Sequence, residues 1–266
     1  MLKKLCIGLL ALFALTANAA ETTTTTTTAA AGTPAASTPQ RKIHPVFTLS
    51  GGYAFTYPDI QRQQFTAYDS AFFFLRTSNA PASSQPMTGG FFGIEWPWKP
   101  EWSIQTGVGY YGEAGVTVRG NEAQGVIGSD QTTDYYKYSY TVTIKQLLAE
   151  GKLLYIWRNV YHPFVDAGLG ASFNKARSYY ISNPIFLTFA PTFAPGTTTD
   201  FSYRVGFGLD YDVATDLRIG FAYHFADFGK AVLASGKVDN YQSGLNLRQD
   251  HLYANELVGQ VTLLFF

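Results

Sequence analysis

The sequence predicts an all-β protein: a transmembrane antiparallel up-and-down β-barrel of eight strands, with short periplasmic turns and long extracellular loops. Three observations lead there. Large apolar residues alternate with Gly, Ser and isolated charges along eight separate segments, the period of a strand whose two faces meet different surroundings. After the first residues no apolar run reaches the roughly 18 residues that a spanning helix needs. The gaps between the alternating segments are short and long in turn, the rhythm of a barrel that turns tightly on one side of a membrane and loops widely on the other.

The first 19 residues read as a secretory signal peptide, with Lys3 and Lys4 before an apolar stretch from Leu5 to Leu15 and a small-x-small site at Ala17-Asn18-Ala19. The single cysteine, Cys6, lies in this segment, so the mature chain is expected to have no disulfide, thiol nucleophile or thiolate metal site. Residues 20–42, AETTTTTTTAAAGTPAASTPQRK, are too poor in large apolar side chains to offset chain entropy, and are expected to be a disordered linker. The barrel is placed at 43–266.

Its strands follow in order. Phe47, Leu49, Gly51, Tyr53 and Phe55 alternate with small residues, and Phe92, Ile94 and Trp96 alternate with Phe91, Gly93 and Glu95. From Trp102 to Val118 the even positions are mostly apolar and the odd ones small or polar. Tyr136 to Ile144 repeats this with Lys137 and Lys145 on the odd face, within one long strand over 134–157 that projects beyond the bilayer; an extra hairpin there is the lesser option. Val165 to Phe173, Phe201 to Tyr211 and Leu217 to Phe225 continue the pattern. His251 to Phe266 makes the eighth strand. Its register is open: Leu257, Val261, Leu263 and Phe265 compete with Val258, Leu264 and Phe266 for the outer face.

A soluble sandwich would turn its apolar faces into a shared core and show Lys and Glu to water. Here the non-apolar face is crowded with Gly and Ser, and the apolar face is heavy in rings, which suits a tube with lipid outside and a polar interior. The short gaps are 97–101, 158–163 and 213–216; the long ones are 57–86, 119–133, 174–199 and 226–250. Trp96, Trp98, Trp102 and Trp157 all fall beside short gaps, the expected place for a periplasmic aromatic girdle. Tyr53, Tyr110, Phe173, Tyr203 and Tyr223 are expected in the middle and outer belt. The apolar ending GQVTLLFF is expected to pair with the first strand, leaving no open edge.

Nineteen basic and nineteen acidic residues give a formal charge of zero, and only 14% of the chain is charged. Nothing here offers the clustered basic face of a nucleic-acid binder, and no cofactor is implied. The inward positions hold Glu95, Glu113, Lys145, Asp166, Arg204, Asp210 and Arg218. Eight strands enclose a space that side chains can fill, so these charges are read as a network that plugs the lumen, with a narrow selective conduit as the alternative. A hydrolase would need His, Ser and an acid near the outer rim. His224, Asp227, Asp250 and His251 flank the last long gap with Ser235 and Ser243 inside it, but Ala226 stands where a lipid-deacylating barrel would carry its nucleophile. The chain is expected not to be an enzyme, and His224 to be an interior hydrogen-bonding residue. His44 and His162 are too dispersed for a metal site. YYISNPIFLTFAPTFAP in the 174–199 gap is more apolar than a bare loop requires, and either binds a partner or packs on other loops.

The segments LLAEGKLLYIW, HPFVDAGLGASFN, FSYRVGFGLDYDVATDLRIGFAYHFADFGKA and the terminal LLFF resemble the small eight-stranded surface barrels grouped as OmpA-like and opacity-type proteins. They cover the second half well and the first half only by pattern. The resemblance implies a place in the outer membrane of a Gram-negative cell, contact with its lipid and lipopolysaccharide, and delivery by the barrel-assembly machinery, with Phe266 as the assembly signal. It implies a structural or surface-interaction role through loops that meet a host or phage ligand. A porin-like small passive pore is the alternative, and a rim hydrolase acting on lipid A is less favoured. The peptidoglycan-binding domain of the larger relatives is not expected.

Overall fold

A computed structural model describes residues 43–59, 62–67, 72–78, 82–128, 134–182, 191–238, 241–242 and 246–265. The expected signal peptide, the linker and Phe266 lie outside the described residues. Eight long strands carry the fold: β1 (His44–Pro58), β2 (Ser83–Lys99), β3 (Trp102–Val126), β4 (Asp134–Tyr155), β5 (Tyr161–Ile181), β6 (Gly196–Ala214), β7 (Leu217–Asp227) and β8 (Leu252–Leu264). Each is antiparallel to its sequence neighbour, and β1 pairs with β8 from Val46–Leu264 to Pro58–Leu252, which closes the ring. Each of the eight strands thereby has a partner on both sides, as a sheet in oil requires.

The short turns gather at one end. Pro100-Glu101 joins β2 to β3, and Thr215-Asp216 joins β6 to β7. Between β4 and β5, Arg158 and Asn159 take φ of 53° and 59°, the left-handed geometry that matches strand twist in tight hairpins. The other end is tall and uneven. β3, β4 and β5 have 25, 22 and 21 residues, whereas about 9–11 cross a bilayer. The stretch over 134–157 is one strand as far as Tyr155, with no extra hairpin. The 57–86 gap holds a hairpin, Arg62–Ala67 with Phe72–Ser78, whose second strand adds to β3 from Ser78–Gly120 to Phe72–Val126. The wall thus continues past the point where β2 leaves it.

Side-chain direction follows the alternation over the lower part of the tube. Leu49, Tyr53, Phe92, Val108, Leu169, Phe207 and Phe221 are each about half exposed on the outer wall, and Thr48, Gln105, Arg204 and Asp210 are buried inside. β8 settles into one of its two registers: Leu257, Val261, Leu263 and Phe265 face out, and Val258 and Leu264 face in.

Higher up the polarity reverses. A β-bulge between Glu113 and Val116 shifts the register of β3 against β4, so Val116 and Val118 point inward and are fully buried. On β4 the even side chains Tyr136, Tyr138, Tyr140, Val142 and Ile144 also point inward, each at most 3% exposed. Lys145, expected in the lumen, is therefore outside and exposed. Above the bilayer the tube stands in water, so its rings turn in and its Lys and Thr turn out, as in any soluble sheet.

Candidate functional site

Two layers fill the lumen. The lower one is ionic and begins near the short turns. Arg218 donates from Nη1 to Glu95 Oε2 at 2.6 Å and from Nε to Asp212 Oδ1 at 2.7 Å. Gln105 donates to the same Glu95 oxygen at 2.7 Å, and His162 Nε2 lies 2.7 Å from Asp212 Oδ2. Next, Lys152 donates to Asp210 Oδ2 and Gln260 to Oδ1, both at 2.6 Å, and the ammonium lies over the Phe164 ring at 3.6 Å. Above these, Arg204 donates from Nε to Glu256 at 2.9 Å, lies 2.9 Å from His224 Nδ1, and covers the Tyr111 ring at 4.1 Å. Tyr111 donates to Glu150 at 2.8 Å, and His224 Nε2 is 3.1 Å from Asp166.

Small residues make room for this. A Cβ on Gly220 would collide with the Asp210 carboxylate, and one on Gly206 with the His224 ring. Free space among these groups comes to about 30 Å³, room for one or two waters. Cations, carboxylates and hydrogen-bonding neutrals interlock, which is the condition under which buried charge is tolerated.

Of the residues expected in the lumen, Glu95, Asp166, Arg204, Asp210 and Arg218 lie in this layer. Glu113 is buried but apart; it accepts from Thr56 at 2.8 Å, and no cation bonds it among the described residues. Lys145 is absent from the network. Sequence reasoning missed Glu150 and Lys152, because assigning the odd face of β4 to the lumen put them outside. It missed Glu256 because the β8 register was open.

The upper layer is apolar. The chain after β7 turns back into the mouth, where Phe228, Ala231, Leu233, Leu247 and Leu252 are each at most 2% exposed. They pack with Val116, Ile144, Leu148 and Val258 in one cluster. Polar wall residues hold this plug by its backbone: Asn174 donates to the carbonyls of Phe228 and Lys230, both at 2.7 Å, and Ser202 to that of Asp227 at 2.6 Å. Gly229 has φ of 63° and sits so close to Phe201 O that a Cβ would come within 2.8 Å. A side chain there would break the turn.

A third feature ties the projecting elements. Arg76, from the added hairpin, is 1% exposed and ion-pairs with Glu122 of β3. Its guanidinium lies 4.4 Å from the ring of Phe193, 5.3 Å from Phe65 and Tyr179, and 5.6 Å from Tyr138. Burial pushes the Tyr138 phenol up to about 12 although Arg76 opposes the shift, so it stays a neutral donor. In the apolar 174–199 stretch Tyr179, Ile181 and Phe193 pack on their neighbours; residues 183–190 lie outside the described residues.

Of the candidate rim groups only His251 and Asp227 are seen to meet among the described residues. His224 is inside the lumen, Ala226 is buried, and His251 Nδ1 is 2.9 Å from Asp227 Oδ2 with its ring stacked on Tyr253. Ser243 lies outside the described residues. Among the described residues no group of three or more His, Cys, Asp or Glu is arranged to hold a metal ion. Of the tryptophans, Trp98 and Trp157 are about half exposed and Trp96 and Trp102 less so, all at the short-turn end.

No protein-family model matches the chain, and neither does any curated protein sequence. Solved structures similar to it include Neisserial surface protein A, at 11% identity over 82% of this chain and 96% of that one, with a TM-score of 0.37. Outer membrane protein OprG from Pseudomonas aeruginosa is 12% identical over 83% and 95%, with a TM-score of 0.43. Ail, the attachment invasion locus protein of Yersinia pestis, solved with a heparin analogue, is 11% identical over 83% and 99%, with a TM-score of 0.36. At such values the likeness adds nothing to the fold, which the closed ring and its exposed apolar belt establish by themselves.

Proposed function

We propose that this chain is a surface barrel of a Gram-negative outer membrane, exported by its signal peptide, with a closed lumen and a working part in the projecting wall and its loops. The observation that carries this reading is the double closure. Among the described residues paired charges fill the tube at bilayer height and an apolar plug fills the mouth. The wall that rises beyond the bilayer is held rigid by the Arg76 cluster, as a display platform would be. Loops built on it would meet a host, phage or lipopolysaccharide component.

The outer surface supports the orientation. The four tryptophans form the periplasmic girdle in this reading. Tyr57, Tyr253, Phe225 and Tyr203 make an upper ring of neighbours with centroids 5.8, 6.0 and 6.3 Å apart, suited to the opposite interface. Phe266 would serve the assembly machinery.

Single-channel recording in planar bilayers tests the proposal. The full chain is expected to give no reproducible conductance, and Glu95→Gln or Arg204→Gln none either. A stable channel altered by those substitutions would establish the pore instead.

A further inference from the structure

The outer wall of β1, β2 and β3 is not smooth. Across the register, Phe47, Phe92 and Val108 form one outward row, and Leu49, Gly90 and Tyr110 the next. The third row is Gly51, Thr88 and Gly112. It is nearly bare: a Cβ on Gly51 would meet nothing within 4 Å, and one on Gly112 only the Ile144 carbonyl at 3.9 Å. Bulky rows below and missing side chains above leave a groove of about 710 Å³ with an apolar lining. From Phe92 to Thr88 it runs about 14 Å along the strand.

The groove has a charged end. Gly112 faces Lys145 across β3 and β4, and Lys145 lines the groove. On its other side Lys145 pairs with Phe173, the last outward ring of β5 before the wall becomes polar. Further up, the outward positions of β3, β4 and β5 carry Arg119, Lys137, Lys175 and Arg177, all exposed. Thr117, Ser139, Thr141 and Thr143 lie between them. Among the described residues no carboxylate occupies an outward position on this stretch. Arg119, Lys137 and Ser139 also border a second hollow of about 360 Å³.

An apolar slot alone accepts any acyl chain. A slot that opens onto a lysine, with four more cations and a run of hydroxyls above, selects by headgroup. We infer that this face binds a lipid with a phosphorylated headgroup. One acyl chain lies in the groove over Gly90 and Gly112, a phosphate meets Lys145, and the rest of the headgroup rises against Lys175, Arg177 and Arg119. The inference rests on the outer-membrane reading above and adds to it the side of the barrel, the ligand chemistry and the residues.

The test uses the full chain folded in micelles of an uncharged detergent. It is offered bisphosphorylated lipid A or the same lipid stripped of phosphate, and retention is read by native mass spectrometry. Phosphorylated lipid is expected to be held at least about tenfold more tightly, and Lys145→Gln to weaken it about fivefold, the effect of one basic residue at an anionic surface. Gly112→Leu fills the slot and should abolish the preference; Thr88→Leu, on the same row, serves if that variant does not fold. Folding of each is checked by heat-modifiable migration on gels. Equal retention with and without phosphates, or an unchanged Lys145→Gln, overturns the inference. So does equally tight binding of a sulfated saccharide that has no acyl chain. A folded barrel without phosphate selectivity removes this inference alone, whereas a chain that never enters micelles removes the surface-barrel reading as well.

Discussion

Arg204 shows what a single side chain does in this tube. It stands between Glu256, His224 and the Tyr111 ring, 4% exposed, and Glu150 lies 3.9 Å off. Removing it leaves carboxylates in a closed space without their cation. Arg204→Ala is expected to cost about 3–5 kcal/mol, seen as a lower urea midpoint for unfolding in lipid vesicles. Lys145→Ala, on the exposed outer wall, should leave that midpoint unchanged. Equal effects of the two would mean that the interior network contributes little. Sequence periodicity placed Arg204 inside without difficulty, since Val205 and Tyr203 flank it in an unbroken alternation. It placed Lys145 wrongly, because alternation tells that two faces differ and not which of them meets water.

Two strands misled: β4, whose even face points inward along its length, and the upper part of β3. The alternation of eight segments was legible, and so were the lipid-facing rows of β1, β2, β5, β6, β7 and lower β3, because the period of two persists through the bilayer. The bulge between Glu113 and Val116 was not: an inserted residue leaves composition unchanged while flipping every position beyond it. Nor was the hairpin over Arg62–Ser78 visible, since its strands are short and pair only with a part of β3 that stands in water. The plug after β7 escaped for a related reason; its apolar residues are irregularly spaced and owe their burial to the mouth they fill. The flip can be checked directly. Val116→Asp is expected to prevent folding, because it puts a carboxylate among Ile144, Leu148 and Phe228, while Thr117→Asp should fold normally. Heat-modifiable migration separates the outcomes, and a reversed result would return β3 to its unbroken register.

The proposed closure of the tube is redundant over its length. Ionic groups at bilayer height and the apolar plug above are separate layers, so loss of one leaves the other. Shortening the chain between Phe228 and Leu247 to a tight connection should therefore leave conductance in planar bilayers at baseline. Currents from the shortened chain would show that the charges alone do not seal the lumen. Below the mouth the outside of the molecule is apolar enough for lipid. Above it the wall is lopsided, tall along β3, β4 and β5 and low elsewhere, which gives the barrel a front and a back when seen from outside the cell.

The seam between β1 and β8 also has a kinetic meaning. Thr48 and Thr262 touch across it although 214 positions separate them in the chain, so the contact that finishes the ring is among the most remote the polypeptide makes. Loop-closure entropy delays such contacts, and until they form β1 and β8 each present a bare margin to hydrocarbon. Half-made rings have no comfortable resting state there. Insertion should accordingly be slow and concerted, with the seam zipping last.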